Sequence, residues 1–214
     1  MKLILAALIC LGSLSQLSAE KLILVTGCAR SGTTYMTKVL QAAGLKVKHE
    51  AHGVDGTVSW TMAVPASKTP WGQAFKEGYY KHIFHQVRNP LKTISSVMVT
   101  EPKESWDFIQ KFVPQIKSDD PKLVKAVKYW IYWNRWAEIK SEMTYRLEDL
   151  EIVLGEIGDR IGYPLRPEAM KGISKTTNHR KDYSHVYTWE ELKEELPLEL
   201  YIKLQDAAIR YGYL

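Results

Sequence analysis

Residues 21–40 read KLILVTGCARSGTTYMTKVL, and the class of the fold follows from them. Leu22–Thr26 is a short β-type run, and residues 35–40 carry apolar side chains at helical spacing. Between the two lies a loop of small residues that starts at Gly27. A strand, a glycine-bounded loop and a helix form an anion cradle, because the first N–H groups of the helix and its dipole both point at the ligand. The stretch therefore predicts an α/β protein that binds a phosphate-like group.

The loop departs from the nucleoside-triphosphate pattern G-x-x-x-x-G-K-[ST] at one position. Gly27 and Gly32 have the required spacing, but Thr33 stands in place of the lysine, and Arg30 supplies a cation inside the loop. Because the template lysine serves the β and γ phosphates beside magnesium, its loss argues against an ordinary ATPase or kinase. A guanidinium inside the loop offers a planar fork to an anion held near the backbone. The alternative is a glycine-containing turn with an exposed arginine.

The length and composition indicate how many domains the chain forms and which charge of ligand it suits. With 214 residues and 45% hydrophobic content, the chain predicts one sizeable domain, which we place at residues 20–214. The net charge of +5 is a mild basicity that suits anionic ligands. The basic residues are spread out, and no zinc-finger spacing or RNA-binding signature is present, so nucleic acid is not an expected partner.

Residues 1–19, MKLILAALICLGSLSQLSA, have the features of a secretory signal. Lys2 precedes an apolar run, and the segment ends in small and polar residues at Ala19. The run is too short to span a bilayer comfortably, so no stable membrane span is expected. The alternatives are a buried N-terminal helix or an extension from an upstream start. A signal in use predicts the secretory pathway or the Golgi lumen, and otherwise the location is cytoplasmic.

Titratable side chains follow the second predicted strand, Gly44–Lys48. They are His49, Glu50 and His52. Residues just past a strand's carboxyl end face the ligand crevice of a doubly wound sheet, so these three are candidates for proton transfer. Because side chains alternate along a strand, we expect His49 and Glu50 to point in different directions. The alternative is a solvated turn.

A third strand is predicted at His82–Val87, closed by Arg88 and by a proline that opens a helix. Arg88 at the strand end and Ser96 on that helix could meet over one anion; the alternative is a surface charge and an ordinary helix-face hydroxyl. The tryptophans at 130, 133 and 136 are expected in the core. The remaining predicted elements are helices at Ser105–Ile116, Pro121–Met143, 148–162, Trp189–Glu195 and Leu198–Tyr211, and a strand at Thr144–Leu147.

Three segments in this order resemble the sulfotransferase superfamily that uses 3'-phosphoadenosine 5'-phosphosulfate (PAPS). They are CARSGTT at 28–34, VRNPLKTISS at 87–96 and YRLEDL at 145–150. The resemblance implies a three-layer, P-loop-like α/β fold with a central, mostly parallel sheet flanked by helices. With arginine at position 30, the chain is more similar to the Golgi-type and bacterial branches than to the cytosolic ones.

The resemblance also implies roles for individual residues. It makes Glu50 the first choice and His49 the second choice for the general base that deprotonates a hydroxyl acceptor, a carbohydrate or another alcohol or phenol. It implies PAPS as co-substrate and no metal. A nucleotide or small-molecule kinase and a non-catalytic anion-binding relative remain open alternatives, and the oligomeric state is not predicted. The implied donor contacts are Arg30, Ser31, Gly32, Thr33 and Thr34 at the 5'-phosphosulfate, Arg88 and Ser96 at the 3'-phosphate, and Arg180 from the C-terminal loop.

Overall fold

The computed structural model describes residues 20–71, 74–100, 102–174 and 185–214. Two of the predictions above lie outside these ranges: the signal-like segment 1–19 and the donor contact at Arg180. The fold is α/β, as predicted.

A five-stranded sheet in which all neighbouring strands are parallel forms the centre of the molecule. The expectation of a mostly parallel sheet is confirmed. In parallel sheets both faces are covered by the crossover helices, and residues 23–26 of the central strand are accordingly buried. The strands are β1 (Lys21–Thr26), β2 (Val47–His49), β3 (Gly56–Val58), β4 (Tyr80–Val87) and β5 (Met143–Arg146), in the order β2-β3-β1-β4-β5.

Helices pack on both faces of the sheet and make a three-layer fold. Apolar side chains of α1 and α5 form one core cluster with Ile23, Val25 and Phe84. Side chains of α2, α3, α4, α6 and α7 form a second cluster around Val87 and Trp133. The helices are α1 (Thr33–Ala42), α2 (Pro90–Thr100), α3 (Lys103–Gln110), α4 (Lys122–Lys140), α5 (Leu150–Ile161), α6 (Trp189–Glu195) and α7 (Leu198–Arg210).

The second and third strands differ from the prediction. The second strand begins at Val47 rather than Gly44, and β3 was not predicted at all. Residues 50–55 suffice to connect these parallel strands because each strand is only three residues long. A Cβ on Gly56 would lie 2.0 Å from the carbonyl oxygen of Ile23, so glycine is needed for β3 to approach β1.

The carboxyl ends of four strands meet at one edge of the sheet. The register pairs Val58 of β3 with Val25 of β1 and with His49 of β2, and it pairs Thr26 of β1 with His85 of β4. After β1 the chain adds β2 and β3 on one side of that strand, and then β4 and β5 on the other side. The loop after β1 therefore lies where the strand order reverses, the place where open α/β sheets bind ligands.

Candidate active site

The loop after β1 leads directly into the N-terminus of α1. Arg30 has φ 68° and Gly32 has φ 92°, so the loop turns through two left-handed residues before the helix begins. Gly32 is the N-cap residue, no side chain caps the helix, and its first turn contains no acidic residue. The N–H groups and the positive end of the helix dipole are thus left for an anion from outside the helix.

Buried side chains hold this loop from below. The N–H group of Ala29 donates to the Tyr129 hydroxyl at 2.7 Å. The Gln86 side-chain amide donates to the carbonyl oxygen of Ser31 at 2.8 Å and accepts from the Tyr145 hydroxyl at 2.8 Å. Burial raises the pKa of Tyr145, which keeps that hydroxyl protonated as the donor. The loop is therefore fixed by β4, β5 and α4 before any ligand binds.

The third motif, YRLEDL, packs against the loop and against the residue after Arg88. A Cβ on Gly32 would lie 2.6 Å from a methyl group of Leu147, so the leucine covers the glycine. The N–H group of Asn89 donates to the Glu148 carboxylate at 3.1 Å. The three motifs that carry the sequence resemblance thus contact one another at the same edge of the sheet.

Arg30, Arg88 and Ser96 come together beside the loop. The Arg30 Nε donates to Ser96 Oγ at 3.0 Å, and Arg88 Nη1 donates to the carbonyl oxygen of Arg30 at 2.9 Å. Ser96 is buried and both arginines are half-buried. Trp130 supports this group because its indole N–H donates to the carbonyl oxygen of Arg88 at 3.2 Å. Arg88 and Ser96 were expected to meet over one anion, and each of them contacts Arg30.

Two hydroxyl groups in the cradle are buried and have no hydrogen-bond partner among the described residues. They are Ser31 Oγ and Thr26 Oγ1, in residues that are 1% and 0% exposed. A buried hydroxyl without a partner costs free energy. An oxyanion seated against the loop would supply an acceptor for the Ser31 hydroxyl, and so this residue fits the phosphosulfate group that the sequence implies.

His49 and Glu50 lie next to each other, and the expectation that they point in different directions is wrong. His49 Nε2 is 3.6 Å from Glu50 Oε1. The reason is the backbone: Glu50 has φ 50°, so the chain leaves the extended conformation at the end of β2 and the alternation of side chains stops there.

The His49 ring connects Glu50 to the start of α1. Its Nε2 lies 3.0 Å from Thr33 Oγ1 and 3.4 Å from Thr34 Oγ1. Burial lowers the pKa of His49, so the ring is neutral at neutral pH. His49 therefore contacts both Glu50 and the N-terminus of α1.

The Glu50 carboxylate is held on both oxygens by residues just past β3. The Ser59 hydroxyl donates to Oε2, and the N–H group of Trp60 donates to Oε1 at 3.1 Å. The Glu50 side chain is 26% exposed. It is thus fixed in orientation and partly open to solvent.

Some residues singled out by sequence do not join the site, and others were missed. His52 contacts the Tyr80 hydroxyl at 3.1 Å, at the amino end of β4, and so lies away from the cradle. Trp130 and Trp133 are buried in the core, as expected. Gln86 and Ser59 were missed, because a single polar residue in or after an apolar run carries no signal of which neighbour it will contact.

Two features are absent from the described ranges. No group of three or more His, Cys, Asp or Glu side chains there is arranged to hold a metal ion. None of the helices in those ranges is both long enough and apolar enough to cross a bilayer.

Of the comparisons with known proteins, the one with solved structures found matches. No protein-family model and no curated protein matches the chain. Among solved structures, the chain is similar to the crystal structure of mouse sulfotransferase SULT7A1 complexed with PAP, with 13% identity and a TM-score of 0.37. The match covers 83% of this chain and 66% of the mouse chain. Residue roles in this chain therefore rest on its own geometry.

Proposed function

We propose that this protein is a sulfotransferase that moves a sulfuryl group from PAPS to a hydroxyl group of an acceptor, a carbohydrate or another alcohol or phenol. The observation that carries the proposal is the group formed by Arg30, Arg88 and Ser96 beside the uncapped N-terminus of α1. Two guanidinium groups beside a helix N-terminus suit a ligand with two separate anionic groups. PAPS carries such groups at its 5' and 3' positions.

The donor contacts divide between the loop and α2. Arg30, Ser31 and Gly32, with the two threonines that begin α1, hold the 5'-phosphosulfate through N–H, hydroxyl and guanidinium groups. Arg88 and Ser96 hold the 3'-phosphate. Negative charge grows on the bridging oxygen as the sulfuryl group leaves, so donors that are fixed before the reaction stabilise the transition state more than the ground state.

Glu50 serves as the general base, with His49 as its neighbour. The carboxylate takes the proton of the acceptor hydroxyl while that oxygen attacks sulfur in line. The neutral His49 ring, in contact with Thr33 and with Glu50, links the base to the donor cradle. The mechanism requires the loop and the base to be at one edge of the sheet, where the strand register brings their attachment points.

Ligand binding tests the proposal directly. We expect the desulfated nucleotide 3'-phosphoadenosine 5'-phosphate to raise the melting temperature, and ATP with magnesium to give a smaller rise. Arg88→Ala should weaken binding of the 3'-phosphorylated nucleotide and leave binding of adenosine 5'-phosphate little changed. Lys122→Ala is the matched control because Lys122 is an exposed cation that starts α4.

The two alternatives predict different results. A larger shift with ATP and magnesium than with the desulfated nucleotide would refute the proposal in favour of a kinase. Binding of the nucleotide without transfer from labelled PAPS to any acceptor in a panel of sugars, alcohols and phenols would favour a non-catalytic relative.

A further inference from the structure

Ser59 occupies a position at the base that the proposed chemistry has not yet used. It follows β3 directly and is completely buried, with 0% exposure. Its hydroxyl donates to Glu50 Oε2, and its oxygen also lies 2.9 Å from Thr61 Oγ1, in a residue that is 3% exposed. In the contact between the two hydroxyl groups, either oxygen can be the donor.

Glu50 needs outside support to stay in place. Its φ of 50° lies in the left-handed region, which is unfavourable for a residue with a Cβ. Its N–H group donates to the carbonyl oxygen of Val58 at 3.0 Å, and its carboxylate accepts from Ser59 and from the N–H group of Trp60. Such a conformation persists only where the surroundings hold it from several sides. Three consecutive residues of the chain, 58 to 60, do so here.

We propose that Ser59 is the positioning residue for the base: its hydroxyl holds the Glu50 carboxyl group in one orientation in both of its protonation states. The inference rests on the proposed function, because it assigns the role of base to Glu50.

A hydroxyl group can hold the carboxyl oxygen that takes the proton in both states, because it can donate and accept, whereas an N–H group can only donate. When Glu50 is ionised, Ser59 donates to it and can accept from Thr61. When Glu50 has taken a proton, the same oxygen accepts from the new O–H group and turns its own hydrogen toward Thr61. The Trp60 N–H group can only donate, so it can hold an acceptor oxygen of Glu50 but cannot accept the new proton. One titratable group beside this carboxylate is His49, whose Nε2 lies 3.6 Å from Oε1 and whose pKa is lowered by burial.

The pH dependence of transfer separates this role from simple support of the fold. Ser59→Ala should move the acid limb of the pH–rate profile upward by about one pH unit, because a hydrogen bond to an ionised group is roughly twice as strong as one to a neutral group. The same change should lower kcat and leave the Kd for the desulfated nucleotide within about twofold, since the hydroxyl that it removes contacts Glu50 and Thr61. Ser59→Cys, which keeps a weak donor of similar size, should lie between Ser59→Ala and wild type.

Thr57→Val is the matched control. Thr57 lies two residues earlier, within β3, and is also 0% exposed; its hydroxyl accepts from Tyr80 at 2.8 Å rather than contacting Glu50. It should lose stability as Ser59→Ala does, with no movement of the pH–rate profile. An equal movement in both variants would overturn the proposal.

A readout without turnover keeps this inference apart from the proposed function. Carbon NMR of protein labelled at the glutamate carboxyl, with Glu50→Gln to assign the signal, follows the titration of Glu50 itself. A midpoint that rises in Ser59→Ala by the same amount as the pH–rate profile supports the proposal, and an unchanged midpoint overturns it. A raised midpoint in a protein that transfers no sulfuryl group would refute the proposed function and would still support the link between Ser59 and Glu50.

Discussion

At the scale of single residues, backbone strain marks the candidate site. Arg30 and Glu50 are the non-glycine residues with positive φ in the part of the chain that the structure describes. Such residues cluster at functional sites, where the surroundings hold a conformation that the residue itself disfavours. One of the two is the cation of the proposed donor loop and the other is the proposed base. Neither could be changed to a better backbone residue without losing its side chain.

The strain at Arg30 can be measured with a pair of substitutions. We expect Arg30→Ala and Arg30→Gly each to lower the rate of transfer by roughly two to three orders of magnitude, since each removes one donor to the developing charge. Arg30→Gly should be more stable than Arg30→Ala by about 1 kcal/mol, because glycine adopts positive φ without a steric penalty. Urea unfolding measures the difference. Equal stability would show that φ 68° carries no cost here, and near-wild-type turnover would remove Arg30 from the mechanism.

At the scale of elements, sequence patterns predicted the long segments well. The helix predicted at Trp189–Glu195 has the same bounds in the structure, and the one predicted to follow Pro90 is α2. By contrast, the helix predicted at Ser105–Ile116 ends at Gln110, and β3 was missed, because three residues are too few to show a period.

Contacts between residues that are distant in sequence limited how much of the candidate site could be predicted. The donor loop could be predicted because strand, loop and helix are adjacent in sequence. The partner of Gln86 depends on which strands are neighbours, and the partner of Ser59 depends on the backbone conformation of Glu50. A local sequence pattern predicts neither the strand order nor that conformation. The sequence therefore predicted that the loop, His49 and Glu50 lie at the edge of the sheet, but it wrongly placed His52 there and did not show how these residues hold one another.

Two glycines show how differently the loop and a helix respond to the same change. A Cβ on Gly27 would lie 2.1 Å from the carbonyl oxygen of Gln86, a backbone atom that cannot move aside cheaply. Gly155 is exposed within α5, and a Cβ there would meet nothing within 4 Å. We expect Gly155→Ala to stabilise the protein by about 0.5–1 kcal/mol, and Gly27→Ala to destabilise it by about 1–3 kcal/mol.

Nucleotide binding provides a second measurement on the Gly27→Ala and Gly155→Ala variants. Gly27→Ala should also reduce the rise in melting temperature with 3'-phosphoadenosine 5'-phosphate, because the loop must move away from β4. Gly155→Ala should leave that rise unchanged. A Gly27→Ala protein with wild-type stability and wild-type nucleotide binding would mean that the loop does not lie against β4 as described.

At the scale of the whole molecule, a buried polar group joins three elements behind the site. His85 of β4 is completely buried; its Nε2 lies 3.1 Å from Asn134 Oδ1 of α4, and its Nδ1 lies 3.1 Å from Thr144 Oγ1 of β5. The Asn134 side-chain N–H group donates to the carbonyl oxygen of Trp130 at 2.9 Å, which turns Oδ1 toward the ring. His85 therefore donates from Nε2 and accepts at Nδ1, and it is neutral. Burial lowers the pKa of His85 to about 4.

This neutral histidine makes stability depend on pH in a defined window. The pKa of His85 is about 4 in the folded state and near 6.5 in the unfolded state. Between those two pH values His85 is protonated in the unfolded chain but not in the folded protein. The free energy of unfolding therefore increases as the pH rises through this window and decreases as the pH falls through it. The contribution is fully present above about pH 6.5 and amounts to about 3 kcal/mol. Carboxylates with lowered pKa values, such as Glu138, lose their contribution at lower pH.

Urea unfolding of wild type and His85→Gln at about pH 7 and about pH 4.5 isolates this contribution. Burial also lowers the pKa values of His49 and His52, and the difference between the two proteins subtracts their share. His85→Gln should be less stable at neutral pH, because it disturbs the contacts to Asn134 and Thr144, and its free energy of unfolding should fall by about 2–3 kcal/mol less than that of wild type on acidification. Parallel loss of stability in the two proteins would mean that His85 accepts a proton while the β4, α4 and β5 contacts remain intact.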